Sequence, residues 1–554
     1  MAQMIRRTYS GFRGADFRGE ECSLNRSPDC LNLWRDYREE DSVRTRPALE
    51  RKRAFDEPVY GIFFFRDAML VHSGRRLWEV RQETARLLYT GLLPRESRGF
   101  LYNGLLYLMD GGQYLRYDGA LLREVEGYVP TTSIGRRPSG GGAAHEDVNL
   151  LTGLRINTFL ADGESTDFYL DARDLDTDYA PVVTVNGEEA AVTVDYEGGR
   201  ITFAEAPEAP LTDGQDNVSV RFRKTVPGYR QRIEKCTLLQ VFDNRVFFSG
   251  NPDYPNTLWH CALEDPAYCS DLDYYREGMD PAAIRGLVAG NNALWVFREP
   301  SRANTTVFYH IPTLDADYGK IYPSQHSSIT TGCLGRAVNF NDDIVFFSDR
   351  GMEGISGDIT TEQAVAHRSS LVDRRLTAEP GYRDMILAQW EGYLLVFIGN
   401  KVYLADSRRV FSNLDHREYD WFYWELSKAV TCAAVDRGIL YLGTGDGVYT
   451  LTDNRGPLES HWVTPKDKFR APNQHKTTNK RGCLIEASGD VTVYAKTEDS
   501  DFTEAGSGTG ITDHLVVRLK RKKFKDLQLK FRSDTRFRLE SAVVECFEGG
   551  YIKG

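Results

Sequence analysis

A short β-hairpin phrase recurs along this chain and constrains its fold more than any other feature. The phrase is a turn, an apolar run, a Gly or Asp and a second apolar run. It reads NGLLYLMDGGQYLRYDG at 103–119 and GYLLVFIGNKVYLAD at 392–406. A hairpin this short cannot bury a core alone, so its copies must stack around a shared one. Such repetition predicts a β-propeller.

The spacing of the copies indicates how many blades the propeller has. The phrase occurs at residues 60–80, 99–125, 237–250, 286–299, 337–357, 386–406 and 429–453. The last five copies begin about forty to fifty residues apart, which is the length of a four-stranded blade. We therefore predict an all-β fold built on a propeller of about seven blades, or of six if one copy belongs to a flanking sheet.

Two stretches depart from the repeat, and each is predicted to form a β-sandwich. The first, 128–228, interrupts the series and contains TVNGEEAAVTVD, in which Asn-Gly between alternating runs is a strong hairpin signal. The second, 459–554, alternates with period two: Leu527, Leu529 and Phe531 share one face, and Lys530 and Arg532 share the other. The predicted domains are an extended arm (1–57), first blades (58–127), an inserted β-sandwich (128–228), remaining blades (229–458) and a C-terminal β domain (459–554).

The N-terminal arm differs from the rest of the chain in charge. It carries twelve basic and nine acidic side chains up to Arg53, a net charge of +3, whereas the remainder carries about −14. It shows little helical or strand period, so an extended arm on neighbouring subunits and a disordered tail are the two interpretations. The apolar residues Phe17, Leu31, Leu33 and Trp34 favour a docked arm.

Composition excludes some functions. The net charge of −11 argues against a protein that binds nucleic acid through phosphate contacts, although an acidic wall could face DNA without holding it. The opening MAQMIRRTYSGFRG has no apolar core of a secretory signal, and runs such as IFFF are too short to span a bilayer. The nine cysteines form no CxxC pair, which predicts buried free thiols made in a reducing cytoplasm.

The sequence contains no catalytic or cofactor motif that we can defend, and we predict no enzyme, no cofactor and no metal centre. Asp171, Asp174, Asp176 and Asp178 could supply oxygens to calcium, but they lack the order of an EF-hand loop, and a solvated acidic loop is the alternative. GTGDG at 443–447 lies between two strands and predicts a hairpin turn, not a phosphate loop. The basic run 520–525 predicts either a nucleic-acid patch or a strand edge guarded by lysines.

Several segments together resemble virion proteins of tailed bacteriophages. In the arm the matching residues are Ser27, Pro28, Asn32, Arg46 and Pro47, with Ala48 where the family often has Gly. The segment FFSGNPDYPNTLWH matches through Asn251, Pro252, Pro255 and Asn256. The inserted stretch is similar to modules of phage tail and neck proteins, and VVECFEGGYIKG is similar to their usual ending. The family comprises the stabilisation, tail tubular and nozzle proteins.

The resemblance implies a structural virion protein without enzymatic activity. It implies a ring, of six copies, that forms a nozzle or tail hub around the DNA exit channel below the portal and adaptor. Its partners would be its own copies, the portal, the adaptor and other tail proteins, with double-stranded DNA passing through unbound during ejection. The protein would assemble in the host cytoplasm and reside in the virion tail. The arm residues expected to contact partners are Phe17, Ser27, Pro28, Asn32, Trp34, Arg46 and Pro47. The alternative is a carbohydrate-active or host-receptor-binding propeller.

Overall fold

The structure is a computed structural model that describes residues 3–36, 41–82, 84–302, 305–316, 319–355, 364–413, 416–453, 458–498, 500–519 and 523–552. The chain divides into two compact units. One comprises Met1–Arg86, Asn304–Val307 and Ser327–Gly554, and the other comprises Leu87–Ala303 and Phe308–His326. Among the described residues, no helix has the length and apolar character needed to cross a bilayer.

The N-terminal residues form five strands, which the sequence did not reveal. They are β1 (Met4–Ser10), β2 (Cys30–Leu31), β3 (Leu33–Trp34), β4 (Val43–Thr45) and β5 (Ala48–Ala54). β2, β3 and β4 have two or three residues and are too short to show a period. β1 and β5 have seven residues, but they are mostly polar or charged and show no alternation of apolar side chains.

Two four-stranded sheets follow, and we number these sheets as blades. Blade one is β6 (Val59–Phe65), β7 (Ala68–Ser73), β8 (Arg76–Arg81) and β9 (Thr84–Thr90). Blade two is β10 (Arg98–Tyr102), β11 (Leu105–Met109), β12 (Tyr114–Tyr117) and β13 (Leu122–Glu124). Each blade has its strands in sequence order, as the hairpin phrase predicts.

The inserted β-sandwich comes next and consists of two sheets. Its strands are β14 (Thr131–Arg136), β15 (Ala143–Ala144), β16 (Leu154–Phe159), β17 (Asp167–Tyr169), β18 (Val182–Val185), β19 (Glu188–Glu189), β20 (Val192–Asp195), β21 (Arg200–Phe203) and β22 (Val218–Arg223). One sheet has the order β15-β14-β16-β22-β18-β19 and the other β17-β21-β20. The predicted Asn-Gly hairpin joins β18 to β19, but the run after it, β20, belongs to the other sheet.

Two more blades follow a short helix, α1 (Tyr229–Glu234). Blade three is β23 (Leu238–Phe242), β24 (Arg245–Ser249), β25 (Thr257–His260) and β26 (Tyr274–Arg276). Blade four contains β27 (Ile284–Gly290), β28 (Ala293–Arg298) and β29 (Val307–His310), then a hairpin of β30 (Thr313–Asp315) and β31 (Gly319–Ile321), and ends with β32 (Ser324–His326).

The last three blades lie between residues 337 and 452. Blade five is β33 (Ala337–Phe340), β34 (Asp343–Phe347), β35 (Met352–Ile355) and β36 (Val365–His367), followed by α2 (Asp373–Leu376) and a 3-10 turn (Tyr382–Asp384). Blade six is β37 (Ile386–Trp390), β38 (Tyr393–Ile398), β39 (Lys401–Asn413) and β40 (His416–Glu425). Blade seven has β41 (Val430–Asp436), β42 (Ile439–Thr444) and β43 (Gly447–Thr452), with β5 as its fourth strand.

The C-terminal β-sandwich is a branched sheet that includes four strands of the arm. Its own strands are β44 (Ser460–Val463), β45 (Gln474–Thr497), β46 (Thr503–Ile511), β47 (His514–Val517), β48 (Lys523–Phe524), β49 (Leu527–Ser533) and β50 (Phe537–Tyr551). The main order is β2-β44-β49-β45-β50-β4-β3, and β1 pairs with β50. In β49, Leu527, Leu529 and Phe531 are buried as predicted, while Lys530 and Arg532 are partly exposed.

Seven four-stranded sheets confirm the predicted propeller fold, and the local chemistry explains the hairpin repeat. In blades two to seven, the first two strands are joined by two residues that both have positive φ. These pairs are Asn103 and Gly104, Asp243 and Asn244, Asn291 and Asn292, Asn341 and Asp342, Glu391 and Gly392, and Arg437 and Gly438. Such turns favour Asn, Asp and Gly and match the twist of paired strands. The second strand of a blade is strongly apolar because it is buried on both faces, as β28, β34 and β38 are along their full length.

The structure corrects the boundary of the arm at residue 57. Strand β5 completes blade seven by pairing antiparallel with β43, with Leu49 opposite Leu451 and Glu50 opposite Thr450. Blade seven is thus assembled from residues that lie near opposite ends of the chain. Because β43 would otherwise present an unpaired edge, the N-terminal strand satisfies backbone groups that the C-terminal part of the propeller exposes.

A half-buried histidine in blade five has a strongly shifted pKa. The Nε2 of His367 lies 2.5 Å from Oδ2 of Asp373, and its Nδ1 lies 3.2 Å from Oε1 of Glu353. Burial opposes the charged ring, but the hydrogen bonds and charges of the two carboxylates outweigh it and raise the pKa of His367 to about 10. The imidazolium therefore joins β36, α2 and β35.

This histidine predicts a pH dependence of stability. Because the folded pKa lies above the unfolded value of about 6.5, its stabilisation is complete below pH 6.5 and is lost as the pH rises towards 10. In scanning calorimetry between these pH values, we expect the unfolding temperature of the unmodified protein to fall by several degrees more than that of His367→Gln. Parallel curves for the two proteins would contradict the assignment.

Candidate functional site: the seat of the N-terminal arm

The seven arm residues predicted as partner contacts lie in one place, which we call the arm seat. It is formed by residues 12–36 and 41–47 where they pack against strand β40, the helix α2 and strand β44, all in the same compact unit. Backbone bonds fix the path: the amides of Ala15 and Phe17 donate to the carbonyls of Trp421 and Leu371 at 2.6 and 2.7 Å. The amide of Asn32 donates to the carbonyl of Tyr423 at 3.0 Å.

Buried charges hold the arm against blade six. Asp420 is fully buried and accepts from Nε of Arg13 at 3.1 Å and from a terminal nitrogen of Arg26 at 2.7 Å. Arg35, also from the arm, lies 2.6 Å from Oδ2 of Asp406 and 3.5 Å from Oδ2 of Asp420. Three arm guanidinium groups thus meet two buried carboxylates of the blade. Removing one partner of such a network leaves an uncompensated buried charge.

Asp406 stays ionised in this network in spite of its burial. Burial alone would raise the pKa of the Asp406 carboxyl, but the hydrogen bond from Arg408 and the charges of Arg35 and Arg408 outweigh burial and lower it. Arg35 responds in the opposite sense, because Asp406 more than offsets the effect of burial and raises the pKa of its guanidinium. The ion pair therefore remains charged at neutral pH.

Asn32 is the hub of a hydrogen-bonded knot with Arg46. Its backbone is left-handed, with φ of 55°, a conformation that Asn adopts more readily than most residues. Its amide nitrogen donates to the carbonyl of Glu459 at 2.8 Å. Its amide oxygen accepts from Nε of Arg46 at 2.8 Å and from the backbone amide of Glu425 at 2.9 Å. One side chain therefore connects the arm, the end of blade six and the start of the C-terminal sheet.

We expect Asn32→Ala to weaken the arm seat by about 2–4 kcal/mol, because it leaves buried donors and acceptors unpaired and places a non-Asn residue at positive φ. Asn32→Asp is the comparison variant: it keeps the acceptor for Arg46 and Glu425, but it replaces the donor to the Glu459 carbonyl by a second acceptor oxygen and adds a negative charge beside Arg46. Hydrogen exchange of the arm should therefore accelerate more in Asn32→Ala than in Asn32→Asp. Equal effects of the two variants would show that the acceptor bonds do not hold the seat.

Arg46 completes the knot from a buried position. Its terminal nitrogens donate to the carbonyls of Pro47 and Glu425, both at 2.7 Å, and its guanidinium lies 6.0 Å from the ring centre of Trp424. Burial lowers the pKa of Arg46 to about 10, so it is still charged at neutral pH. Pro47 is buried beside it, at the point where the arm leaves the sandwich for blade seven.

Aromatic residues fill the rest of the seat. Trp34 stacks on Trp390 with ring centres 5.4 Å apart and meets Trp424 edge-on at 5.8 Å. Phe17 meets the ring of Tyr423 edge-on at 5.9 Å, and the guanidinium of Arg375 lies 3.8 Å from the centre of the Phe17 ring. Aromatic pairs and cation–π contacts of this kind add to the stabilisation from apolar burial.

Ser27 and Pro28 lead the arm onto strand β44. The Ser27 hydroxyl donates to the carbonyl of Asp29 at 2.8 Å and accepts from the backbone amide of Val463 at 3.2 Å. Pro28 is half-buried between them. Burial acts against ionisation of Asp29, but the hydrogen bond and charge of His461 and those of Arg375 outweigh it and lower the pKa of Asp29 to about 2. The segment Ser27–Asp29 is therefore held to strand β44 by hydrogen bonds with Val463 and His461, and to helix α2 by the ion pair with Arg375.

The structure brings together all seven predicted arm residues, and within one chain each is occupied by intrachain contacts. Their contact with partner proteins stays a prediction. The sequence did not identify Asp406 and Asp420, the carboxylates that receive the arm. In the sequence, Asp406 ends the apolar run VYLAD and Asp420 lies among the aromatic residues of EYDWFYWE. Such neighbours indicate that both carboxylates are buried, and this was the only sequence feature that could have identified them.

The acidic loop, the other candidate site, has partners for its aspartates within the chain. In the acidic loop, Asp176 and Asp178 both accept from Arg223, Asp174 lies 4.0 Å from Nζ of Lys224, and Asp171 accepts from the hydroxyl of Thr132. These partners favour an ion-paired loop over a calcium site, and the described residues contain no cluster of three or more His, Cys, Asp or Glu suited to a metal.

Two further sequence predictions concern a turn and the basic run. GTGDG forms the hairpin turn between β42 and β43, as predicted, with Thr444 opposite Gly447. Of the basic run 520–525, residues 520–522 lie outside the described part of the chain, and β48 pairs with β45. All nine cysteines are free; Cys22 is half-buried and the other eight are buried.

Comparison with known proteins extends only to the fold. No protein-family model and no curated protein matches the chain. A similar solved structure is BamB from Moraxella catarrhalis, with 12% identity over 74% of this chain and 99% of that chain and a TM-score of 0.35. Another is YCF48 bound to D1 peptide, with 6% identity, 74% and 98% coverage and a TM-score of 0.35. An exo-beta-1,3-galactanase from Phanerochaete chrysosporium has 9% identity, 55% and 94% coverage and a TM-score of 0.21. The chain is a β-propeller protein with two β-sandwiches.

Proposed function

We propose that this chain is a structural protein of a tailed-bacteriophage virion. It forms a ring, of six copies, that acts as a nozzle or tail hub around the DNA exit channel below the portal and adaptor. The proposal combines the sequence resemblance with the role that the matching residues have in the fold.

The observation that carries the proposal is that four of the matching residues use their side chains to join separate segments of the fold. Asn32 and Arg46 form the knot of the arm seat. In blade three, the side chain of Asn251 donates to the carbonyls of Gln231 and Arg232, which belong to helix α1. Asn256 donates to the carbonyls of Gly278 and Asp280. These side chains hold turns and chain crossings together, which is a reason for such residues to recur among proteins that share a fold and supports the proposal.

The physical properties of the chain suit a ring around DNA. A propeller satisfies its backbone hydrogen bonds within its blades and leaves only short, protected strand edges. Copies joined head to tail form a closed ring when the rotation between them closes. A net charge of −11 disfavours adhesion to the phosphate backbone, so DNA can pass an acidic wall without being held.

We expect the interface between neighbouring copies to lie outside the arm seat, because the arm of the same chain already occupies that site. Among the described residues, nineteen large apolar side chains are exposed, and fourteen of them lie in the unit of Leu87–Ala303 and Phe308–His326. The most exposed of these fourteen are Leu211, Leu272, Met279 and Leu314. Exposed apolar side chains favour contact with another protein, so this unit is where we place the ring contact.

Native mass spectrometry and negative-stain microscopy of the purified chain, alone and with its portal and adaptor, test the proposal. We expect closed rings of six copies. Leu272→Asp and Met279→Asp should weaken the ring, whereas Val516→Asp, an exposed apolar position in the other unit, should not. A monomer at high concentration in the presence of both partners would contradict the function. If both Leu272→Asp and Met279→Asp still form rings, the interface does not lie on the surface that we propose, but the proposed function stands.

A further inference from the structure

A small pocket lies beside the junction of blades seven and one, where the chain leaves β5 and the turn from β7 to β8 folds over it. Its volume is about 140 Å³, below the few hundred Å³ of sites that hold drug-sized ligands. The pocket therefore has room for one small ring. Its lining comprises Arg53, Ala54, Phe55, Asp56, Glu57, Ser73, Arg76, Trp78 and Ala85.

Hydrogen bonds shape the pocket in advance of any ligand. The Ser73 hydroxyl donates to the carbonyl of Glu57 at 2.7 Å, and the amide of Gly74 donates to the carbonyl of Pro58 at 2.9 Å. The amide of Phe55 donates to the carbonyl of Asp446 at 3.1 Å. Segment 55–58 is thus tied to the turn on one side and to blade seven on the other. A preformed site loses less conformational entropy when it binds.

Gly74 leaves room for the Glu57 carboxylate. Its φ is +59°, and a Cβ at this position would lie 2.1 Å from Oε2 of Glu57. The carboxylate therefore occupies the space that a side chain at position 74 would fill. This places an acceptor at the wall of the pocket.

Two aromatic rings form the apolar part of the lining. The ring centres of Phe55 and Trp78 are 6.3 Å apart, with an angle of 51° between the planes. Both side chains are half-buried, so each presents part of its surface to the pocket. Aromatic faces offer a large apolar contact that is rigid and costs little conformational entropy.

The charges around the pocket balance. Arg53 and Arg76 supply two positive charges, and Asp56 and Glu57 supply two negative charges. Arg76 and Glu57 are about half exposed and lie 4.0 Å apart. A charged ligand would meet as much repulsion as attraction here, whereas a neutral ligand with several hydroxyl groups can use both donors and acceptors.

We propose that this pocket binds one neutral sugar residue, such as the terminal pyranose of a glycan. The C–H face of the ring packs on Trp78 and Phe55, and its hydroxyl groups donate to Glu57 and accept from Arg76. The requirement for an apolar face and for both donors and acceptors on one small ring distinguishes a sugar from a peptide carboxylate or an alkylammonium group. The inference concerns a site outside the arm seat and does not depend on the proposed virion role.

Saturation-transfer NMR with the full chain tests the site. The neutral probes are glucose, galactose, mannose, rhamnose and N-acetylglucosamine; the charged comparators are glucuronic acid and choline. We expect saturable binding of at least one neutral sugar and affinity lower by about tenfold or more in Trp78→Ala. Ala85→Leu, which fills the pocket without removing a contact, should abolish binding. Tyr254→Ala removes an exposed aromatic residue elsewhere and should leave it unchanged.

Three results would overturn the proposal. The first is that no neutral sugar binds at millimolar concentration. The second is that only glucuronic acid or choline binds, which would indicate a charged ligand. The third is that binding is insensitive to Ala85→Leu, which keeps the test decisive even if Trp78→Ala fails to fold. None of these results bears on ring formation.

Discussion

Asp420→Ala is expected to detach the N-terminal arm from blade six. The substitution removes the carboxylate that the half-buried Arg13 and the buried Arg26 share, and one of two carboxylate partners of the buried Arg35. Breaking a buried ion network by removing one partner typically costs about 3–5 kcal/mol. We therefore expect amide exchange in residues 12–36 to accelerate by roughly a hundredfold to a few thousandfold, and trypsin to cleave the arm after Arg13 and Arg26.

An exposed ion pair in the same arm provides the control. Glu50 and Lys52 lie 2.9 Å apart on strand β5 and are both exposed. Glu50→Ala should change arm exchange little, because exposed pairs contribute about 0–1 kcal/mol. If Asp420→Ala were as mild as Glu50→Ala, the buried network would not be what holds the arm.

Gly14→Ala is expected to have the second large effect, through the backbone alone. Gly14 has φ of +89°, and a Cβ there would lie 2.0 Å from the carbonyl oxygen of Trp421. The neighbouring amide, of Ala15, donates to that same oxygen. The arm cannot follow this path with a side chain at position 14, so we expect a loss of about 3 kcal/mol or more in the stability of the arm seat, measured by the same exchange experiment.

Two other arm glycines separate the steric clash from backbone strain. Gly11 has φ of +61°, and no atom lies within 4 Å of the position that a Cβ would take, so Gly11→Ala carries strain alone, about 1–2 kcal/mol. Gly19 has no positive φ and open space, so Gly19→Ala should be neutral or slightly stabilising. A ranking in which Gly14→Ala is no worse than Gly11→Ala would refute the close approach to blade six.

The propeller could be predicted from sequence because its signals are local. Each blade begins with a hairpin, and in blade two its turn residues, Asn103 and Gly104, need positive φ while its second strand is largely buried. These features recur within a few residues of one another, so seven short segments sufficed to predict seven sheets. The alternation of Leu527, Leu529 and Phe531 in the C-terminal domain is a local signal of the same kind.

The partners of the arm could not be predicted, because they depend on distant residues. Strand β5 pairs with β43, and β1 pairs with β50, so that Tyr9 lies opposite Ala542. The residues of the arm do not indicate which sheet edge its strands will pair with. The sequence placed Phe17 and Trp34 on neighbouring subunits, whereas the structure shows them packed on the chain's own blade six. Apolar residues of this kind suit either location, so they do not specify which chain the arm packs on. The acceptors Asp406 and Asp420 became visible only in the fold.

Hydrogen exchange of β1 and β5 in the dilute, monomeric protein tests the central claim most directly. The claim is that the N-terminal strands complete blade seven and the C-terminal sheet of their own chain. We predict slow exchange, independent of protein concentration, for those amides of Met4–Ser10 and Ala48–Ala54 that face β50 and β43; the alternate, outward-facing amides of these edge strands should exchange faster. Exchange of these two strands within seconds in the monomer, with protection appearing only as copies associate, would contradict it.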